Sequence, residues 1–511
     1  MCCRRLQNVH STLDRFAGML GRKARGGDTK RPGGHEEEET RSMTTATDTV
    51  GWTATPAEMV TARLDRLPMT STIWIMAALV SLGGFFDSLA LELTATLAPG
   101  LFHAKIITAT TPGLFGTTGL AGFIAALFAG MFVGTILFSY VADRFGRRRI
   151  FAFSLLWYGA ASFVMAFQND AFGLNLWRFI ATIGLGVELV TVDAYLSELV
   201  PKMARGKAFA FLLGISAIAG PFAYFLAWKL VPIAPLGIAG WRWVVGVNSL
   251  AAIVVWIVRL GLPESPRWLA QQGRMAEAEQ VMARIEARVV REYGRPLPPP
   301  ERPQPHDTRK GSLAEIFNEQ YRSRTIMLML FNFFQTVGFY GFFAWVPTLL
   351  IAKGIHVTQS LEYGFIIKVA GFGWPFINML FADRMERKWQ VCGSCLSIAV
   401  FGIVFGYQSS PFALIVLGTF LSMSTGWLAY SLHNYQSELY PTRIRARAVG
   451  FVYSWSRLSG ILVGFMVAFF LRNFGVVGVF VFVAACMAVV IISVAALGPR
   501  TNRLELEAIA H

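Results

Sequence analysis

A small set of ionisable side chains lies inside long apolar stretches of this sequence: Asp87, Glu92, Arg178, Glu188, Asp193, Lys368, His433 and Arg457. Placing such a group in hydrocarbon costs roughly 2.5–3.5 kcal/mol on insertion scales, so each is a functional candidate by default. A carboxylate near an arginine in a poorly solvated cavity holds either a proton or an ion pair. That is the chemistry of proton coupling, and Asp87, Glu92 and Arg178 are the residues assigned to it. Glu92 and Arg178 each fall some six or seven residues below one membrane surface, near ~10 Å at ~1.5 Å per residue. Asp87 lies deeper, close to the midplane. Lys368 and Arg457 have no evident acid on their own segments. Two such cations facing a central cavity favour an anionic substrate, and an arginine can grip a carboxylate bidentately. Gln335, Tyr340 and Trp374 complete the expected substrate surface, although aromatic residues at such spacing more often pack or mark an interface. Arg259, at a segment end, can snorkel, and His433 is expected to serve a gate or the structure.

The segments that must position these groups dominate the composition. The 511 residues are 54% hydrophobic and only 15% charged, with mean hydropathy +0.49. Soluble chains carry about 25% charge. Twelve apolar runs are recognised, near 73–98, 113–140, 150–167, 171–196, 207–230, 243–261, 325–350, 362–382, 389–407, 411–436, 448–471 and 476–497. Runs of about 20 residues cross a ~30 Å hydrocarbon core, and backbone groups in lipid must pair internally, so the runs are expected to be helices. The small faces Gly130-x-x-x-Gly134 and Gly184-x-Gly186 suit close helix approach.

The formal charge of +15 invites a nucleic-acid reading, but its location argues for topology. Arg144, Arg147, Arg148, Arg149, Lys202, Arg205, Lys207, Arg384, Arg387, Lys388, Arg443, Arg445 and Arg447 fall in loops on one side. Only Lys105, Lys229, Arg242, Lys353 and Arg472 fall on the other. The bias places both termini in the cytoplasm of an inner or plasma membrane protein. The expected domains are a disordered tail over 1–72, a six-helix bundle over 73–261, a central loop over 262–324, a second bundle over 325–497 and a tail over 498–511. The central loop holds an amphipathic helix from Met275 to Tyr293 and an extended proline-rich linker from Pro296 to Pro305. Met43 offers an alternative start, and no secretory signal precedes the first apolar run.

Other chemistries find little support. Cys392 and Cys395 form a lone pair inside an apolar run, and Cys2, Cys3 and Cys486 add no second pair, so small buried residues are the better reading than redox or zinc. No phosphate-binding glycine loop, nucleophile–base set or metal-ligand spacing occurs. The expectation is a non-enzyme without cofactors or metal.

The sequence also repeats itself. At an offset of 240 residues, Tyr195, Ser197, Glu198, Leu199, Pro201, Arg205, Ala208 and Phe211 fall on Tyr435, Ser437, Glu438, Leu439, Pro441, Arg445, Ala448 and Phe451. The same offset carries Ala142-Asp143-Arg144 onto Ala382-Asp383-Arg384, and Arg147-Arg148 onto Arg387-Lys388. Two parallel repeats of six spans are a transporter plan. Ala142-Asp143-Arg144-Phe145-Gly146-Arg147-Arg148-Arg149 resembles the loop motif of the major facilitator superfamily. Tyr195-x-Ser-Glu-x-x-Pro-x-x-x-Arg-Gly and Pro263-Glu-Ser-Pro-Arg-Trp-Leu269 are similar to its sugar-porter and its aromatic- or organic-acid:proton symporter branches. The resemblance covers residues 72 to 507 and implies an all-α integral membrane fold of twelve transmembrane helices. It also implies a cytoplasmic gate at Asp143, Arg144, Arg147, Arg148, Glu198, Arg205, Asp383, Arg384, Glu438 and Arg445, where charge pairs can latch one half against the other. The pattern departs from the family at Ser139, Met379 and Glu386, which stand where glycines are usual. It departs again at Asp87-Ser88-Leu89-Ala90, where the second usual acid is Ala90, leaving Asp87 or Glu92 to carry coupling.

These readings converge on a secondary transporter working by alternating access. Proton-coupled uptake of a small organic anion by a monomer in the bilayer is the favoured form. The alternatives are a sugar or polyol:proton symporter and a proton-driven efflux antiporter.

Overall fold

The structure is a computed structural model describing residues 55–500 other than 109, 114–117, 301–312, 374–384 and 441. Helices account for nearly all regular structure in these residues, and the one β-bridge, Pro112 to Thr118, is isolated. α1 is Pro56–Asp65, α2 Ser71–His103, α3 Leu120–Phe145, α4 Arg147–Met165 and α5 Ala171–Leu199. α6 (Arg205–Ala217) and α7 (Ala219–Leu230) form one interrupted rod, followed by α8 (Gly240–Arg259), α9 (Pro266–Gln271) and α10 (Met275–Tyr293). The second half holds α11 (Glu319–Phe343), α12 (Val346–Ala352), α13 (Val357–Gly371), α14 (Arg387–Tyr407), α15 (Pro411–Glu438) and α16 (Thr442–Leu497). Each expected apolar run overlaps helix, the run 362–382 only as far as Gly371. Eight helical stretches among the described residues are long and apolar enough to cross a membrane.

Local chemistry accounts for the interruptions. Asp170 caps α5 by accepting the Gly173 amide at 2.7 Å, satisfying one of the orphan donors of a helix start. Pro221 has no amide hydrogen to donate back toward residue 217, which weakens the ladder where α6 gives way to α7. Gly475 (φ +65°) breaks α16 into two rods; a side chain would be strained there. Gly134 and Gly186 bring α3 and α5 together, while Gly184 faces Ser154 and Tyr158 of α4. A Cβ on Gly134 would sit 2.1 Å from the Ile183 carbonyl oxygen, and one on Gly186 2.1 Å from that of Met131. The backbones of α3 and α5 therefore touch with no side chain between them.

One expectation about the ends changes. Residues 55–72 are not a disordered tail: α1 begins in a capping box between Thr55 and Glu58 and buries Val60, Ala62 and Leu64, and Leu67 just beyond it is buried too. Its partners are α9 and α10, the latter spanning the residues expected for the amphipathic helix. Arg63 reaches Glu279 at 2.5 Å and Glu286 at 2.6 Å, and Arg66 reaches Glu286 at 2.8 Å. Asp65 binds Arg267 at 2.7 Å and accepts from the Lys202 amide. The sequence signal was available in Thr-Pro-x-Glu, a helix start hidden within a polar stretch.

Burial pushes the Glu286 carboxyl up, but hydrogen bonds from Arg63 and Arg66 outweigh it and hold the group below the usual carboxylate range. A depressed pKa means the docking energy is complete above the unfolded value, about 4.3, and is lost as pH falls through the folded value. Glu286→Gln is therefore expected to loosen α1 by about 1 kcal/mol. At neutral pH the measurement is tryptic cleavage at Arg63 and Arg66, which should rise several-fold in the variant.

Candidate functional site

The charged residues inside the apolar helices gather along the inner faces of α2, α5, α8, α13 and α16, and their pairing differs in part from the sequence expectation. Arg178 is 1% exposed. It does not reach an acid: its Nη2 donates to the Ala90 carbonyl and to Thr94 Oγ1, both at 2.6 Å, and its guanidinium stands 4.8 Å from the centre of the Phe123 ring. Ala90 lies between Asp87 and Glu92 on α2, so Arg178 clamps the stretch of helix that carries both acids. A guanidinium has five donors and can satisfy buried carbonyls where an acid is out of reach.

Arg259 does not snorkel. It is wholly buried, 2.7 Å from the equally buried Glu188, and lies 4.0 Å from the centre of the Phe151 ring. The Glu188 carboxylate passes over Gly83, where a Cβ would lie 2.6 Å from Oε1. Gly83 is one turn before Asp87 on the same face of α2. Asp87 itself is 6% exposed, and its Oδ1 is buried without a hydrogen-bond partner among the described residues. The charges that act on it are Glu188 and Arg259, then Arg457 of the second half, then Asp193. Sequence reasoning named Glu188 and Arg259 singly and missed their pairing. The signal was that each was an isolated opposite charge in an apolar span, but nothing in one sequence reveals that α5 and α8 bring them together.

Lys368 also has an acid, on another span. Its ammonium binds Glu92 Oε1, with side-chain exposures of 10% and 18%. The pair sits against Gly220 of α7, whose Cβ would lie 3.2 Å from Lys368 Cδ, and under the Phe343 ring, 3.6 Å from Nζ. Glu92 Oε2 is buried without a partner among the described residues. The Arg457 guanidinium stands 5.1 Å from the centre of the Tyr453 ring and interacts with Tyr340 and Asp87. Gln335 is buried and donates to Thr336 Oγ1 at 3.1 Å. Tyr340 packs edge-on to Phe128 at 4.7 Å. Trp374 lies outside the described residues.

The two halves meet toward the ends of their helices far from Arg147. Phe365 of α13 stacks on Trp228 of α7 at 5.8 Å, and Gly364 lets the Tyr224 ring approach to 2.1 Å of where a Cβ would be. Gly460 and Gly464 of α16 press on Phe128, Ala121 and Ile124 of α3. α12 packs on α2.

At the other, basic end the repeat reappears as matched interactions. Arg147 Nε lies 3.3 Å from Glu198 Oε1, and Arg387 Nε lies 3.3 Å from Glu438 Oε1. Arg148 donates to the Leu260 carbonyl at 2.5 Å and Lys388 to that of Gly498 at 2.9 Å, cations placed where a helix C-terminus is negative. Tyr195 donates to the Pro263 carbonyl, as Tyr435 does to that of Pro499. These pairs lie within each half. They brace each bundle's basic end. Arg144 is exposed and Arg205 half-buried. The side chains of Asp143 and Arg445, and all of Asp383 and Arg384, lie outside what is described.

Such a helical protein, with an internal repeat in both sequence and contacts, can be compared with known ones. The family described as "Sugar (and other) transporter" matches residues 73–511. The chain belongs to this family of the major facilitator superfamily. A Bacillus subtilis relative named for metabolite transport, YyaJ, is 30% identical over 446 residues, covering 87% of this chain and 96% of that one. The niacin transporter NiaP of Acinetobacter baylyi is 28% identical over 450 residues, covering 88% and 99%. The inward-open xylose transporter XylE from E. coli superposes with a TM-score of 0.67 at 17% identity, covering 86% of this transporter and 99% of that chain. The transporter's fold is thus all-α and multi-pass. Of its buried charges, Glu92 with Lys368 and Asp87 with Arg457 relate the first half to the second, while Glu188 with Arg259 lies within the first.

Proposed function

We propose that this transporter couples proton entry to uptake of a small organic anion by alternating access. The observation that carries the proposal is the confrontation of charge across the interface: Glu92 and Asp87 of the first half face Lys368 and Arg457 of the second. In this reading Lys368 and Arg457 receive a carboxylate, and Gln335, Tyr340 and Trp374 are assigned to the same substrate. Asp87 and Glu92 exchange protons, while Arg178 fixes the helix that bears them. Twelve spans form two parallel bundles, 73–261 and 325–497, with both termini and the 262–324 segment in the cytoplasm. The basic end, Asp143, Arg144, Arg147, Arg148, Glu198, Arg205 and their repeat partners Asp383, Arg384, Glu438 and Arg445, acts as the cytoplasmic gate. The packing of the halves at the opposite end then corresponds to a state closed to the outside.

Relatives support coupled transport of small molecules. NiaP is named for niacin, an aromatic carboxylate. A Bacillus subtilis arabinose-proton symporter is also 26% identical over 442 residues, which favours a neutral sugar as the second reading.

A thermal-shift panel on the purified protein separates the two. A ligand at 100 times its Kd stabilises by about 2.7 kcal/mol. Nicotinate and benzoate are expected to raise the melting temperature, xylose and arabinose to leave it unchanged, and Lys368→Ala with Arg457→Ala to abolish the response. A shift with sugars alone would favour the second reading.

A further inference from the structure

The Glu92–Lys368 pair does more than contribute a cation to the anion site. It joins α2 of the first half to α13 of the second, beside the Trp228–Phe365 stack and the Tyr224–Gly364 contact that close the same end. The site is walled by Gly220, Tyr224 and Phe343. A charge enclosed there is strongly unfavourable unless paired. Closing this end therefore requires the enclosed charge to sum to zero.

We infer that the anionic substrate takes the place of Glu92 on Lys368, and that Glu92 takes up the coupled proton when it is displaced. The inference rests on the anion-uptake reading above and adds its stoichiometry. Without substrate, the outer gate closes over Glu92 carboxylate and Lys368 ammonium, the pair that joins α2 to α13. Loaded, it closes over a substrate carboxylate on Lys368 and a neutral Glu92 carboxyl. Anion without proton leaves one negative charge in excess. Proton without anion leaves Lys368 unpaired. Both mismatched states hold the gate open, so one proton travels with each monocarboxylate. The unpartnered Glu92 Oε2 is the oxygen available to the proton, delivered from the outer solution while the gate is open.

The groups facing Glu92 are few. They are Lys368 on α13, Tyr224 on α7 and Tyr340 on α11. Of the other helices packed on α2, α5 brings Arg178, held by Ala90 and Thr94, and Glu188, which α8 pairs with Arg259. α12 has no titratable side chain, and the charged residues of α3, α6 and α10 lie toward the basic end. Lys368 is therefore the partner whose charge decides the state of Glu92.

The test reads the gate itself. Phe365→Cys, in the full-length chain in oriented vesicles, is labelled by a membrane-impermeant maleimide when the stack opens; the parent chain reports background from its native cysteines. At neutral pH, Glu92→Gln should label about tenfold faster or more, and nicotinate should slow it toward the parent rate. Lys368→Met should also label faster, be slowed by acid that protonates Glu92, and ignore nicotinate. The double variant Glu92→Gln/Lys368→Met, a neutral gate, should label at the parent rate and respond to neither. Single variants labelling at the parent rate, while the wild type still shows uncoupler-sensitive nicotinate uptake, would overturn this inference alone. No nicotinate effect on Glu92→Gln, together with no nicotinate uptake by the wild type, would remove the anion reading and this inference with it.

Discussion

Arg259→Leu is expected to cost about 3–5 kcal/mol, the penalty for leaving a buried charge without its partner. Glu188 and Arg259 are both 0% exposed and 2.7 Å apart. The variant should lose most of its folded yield or melt far below wild type in detergent. Glu188→Leu should behave similarly, since it strands the guanidinium against Phe151. The double variant Glu188→Leu/Arg259→Met removes both charges and keeps apolar volume, and such replacements are often neutral or stabilising by about 1–4 kcal/mol. Recovery of stability in the double variant, set against collapse in the singles, is the expected pattern. Single variants that melt within about 1 kcal/mol of wild type would mean the pair is solvated. Stability recovered without transport would indicate that the pair also shapes the field around Asp87, one turn beyond Gly83.

Asp87→Asn is expected to separate two activities. Asp87 lies five residues deeper than Glu92 on α2, about 7.5 Å along the axis, and faces Arg457 of the second half. In the proposed coupling, Glu92 admits the proton at the outer gate and Asp87, with its unpartnered Oδ1, passes it toward the opposite side. Under the proposed alternating access, Arg457 on the other half changes its distance from Asp87 as the halves move, and the preference of Asp87 for its charged form changes with it. An asparagine keeps the shape and cannot cycle a proton. Gradient-driven uptake should fall roughly 5–150-fold, the range of a 1–3 kcal/mol coupling free energy, while exchange of labelled for unlabelled anion persists. Concentrative uptake that survives in Asp87→Asn would assign the proton elsewhere.

Much of this architecture was legible from the sequence because lipid imposes a severe rule on the backbone. Apolar runs gave the helices, and the offset of 240 residues foretold interactions that the structure repeats, Arg147–Glu198 with Arg387–Glu438. Gly134 and Gly186 were readable as contact faces because only glycine permits backbones so close. The ion pairs were less legible. Arg178 and Lys368 could be identified as buried cations, and Arg259 only as one able to snorkel, but the partners of all three are set by helix rotation and bundle packing, which periodicity in a single sequence does not determine. Lys368 and Glu92 are 276 residues apart, and the same lysine that looked free on its own span is paired across the interface. The helix α1 was missed for another reason: its polar composition resembled the tail before it, and its stability comes from Glu279, Glu286 and Arg267 on the central segment.

The most direct measurement is nicotinate uptake by wild-type protein in liposomes under an imposed proton gradient, acidic on the side of entry. The account predicts accumulation above equilibrium that collapses when a protonophore dissipates the gradient, with one proton entering per anion. Accumulation that is indifferent to the protonophore, or driven accumulation of xylose with none of nicotinate, would contradict it.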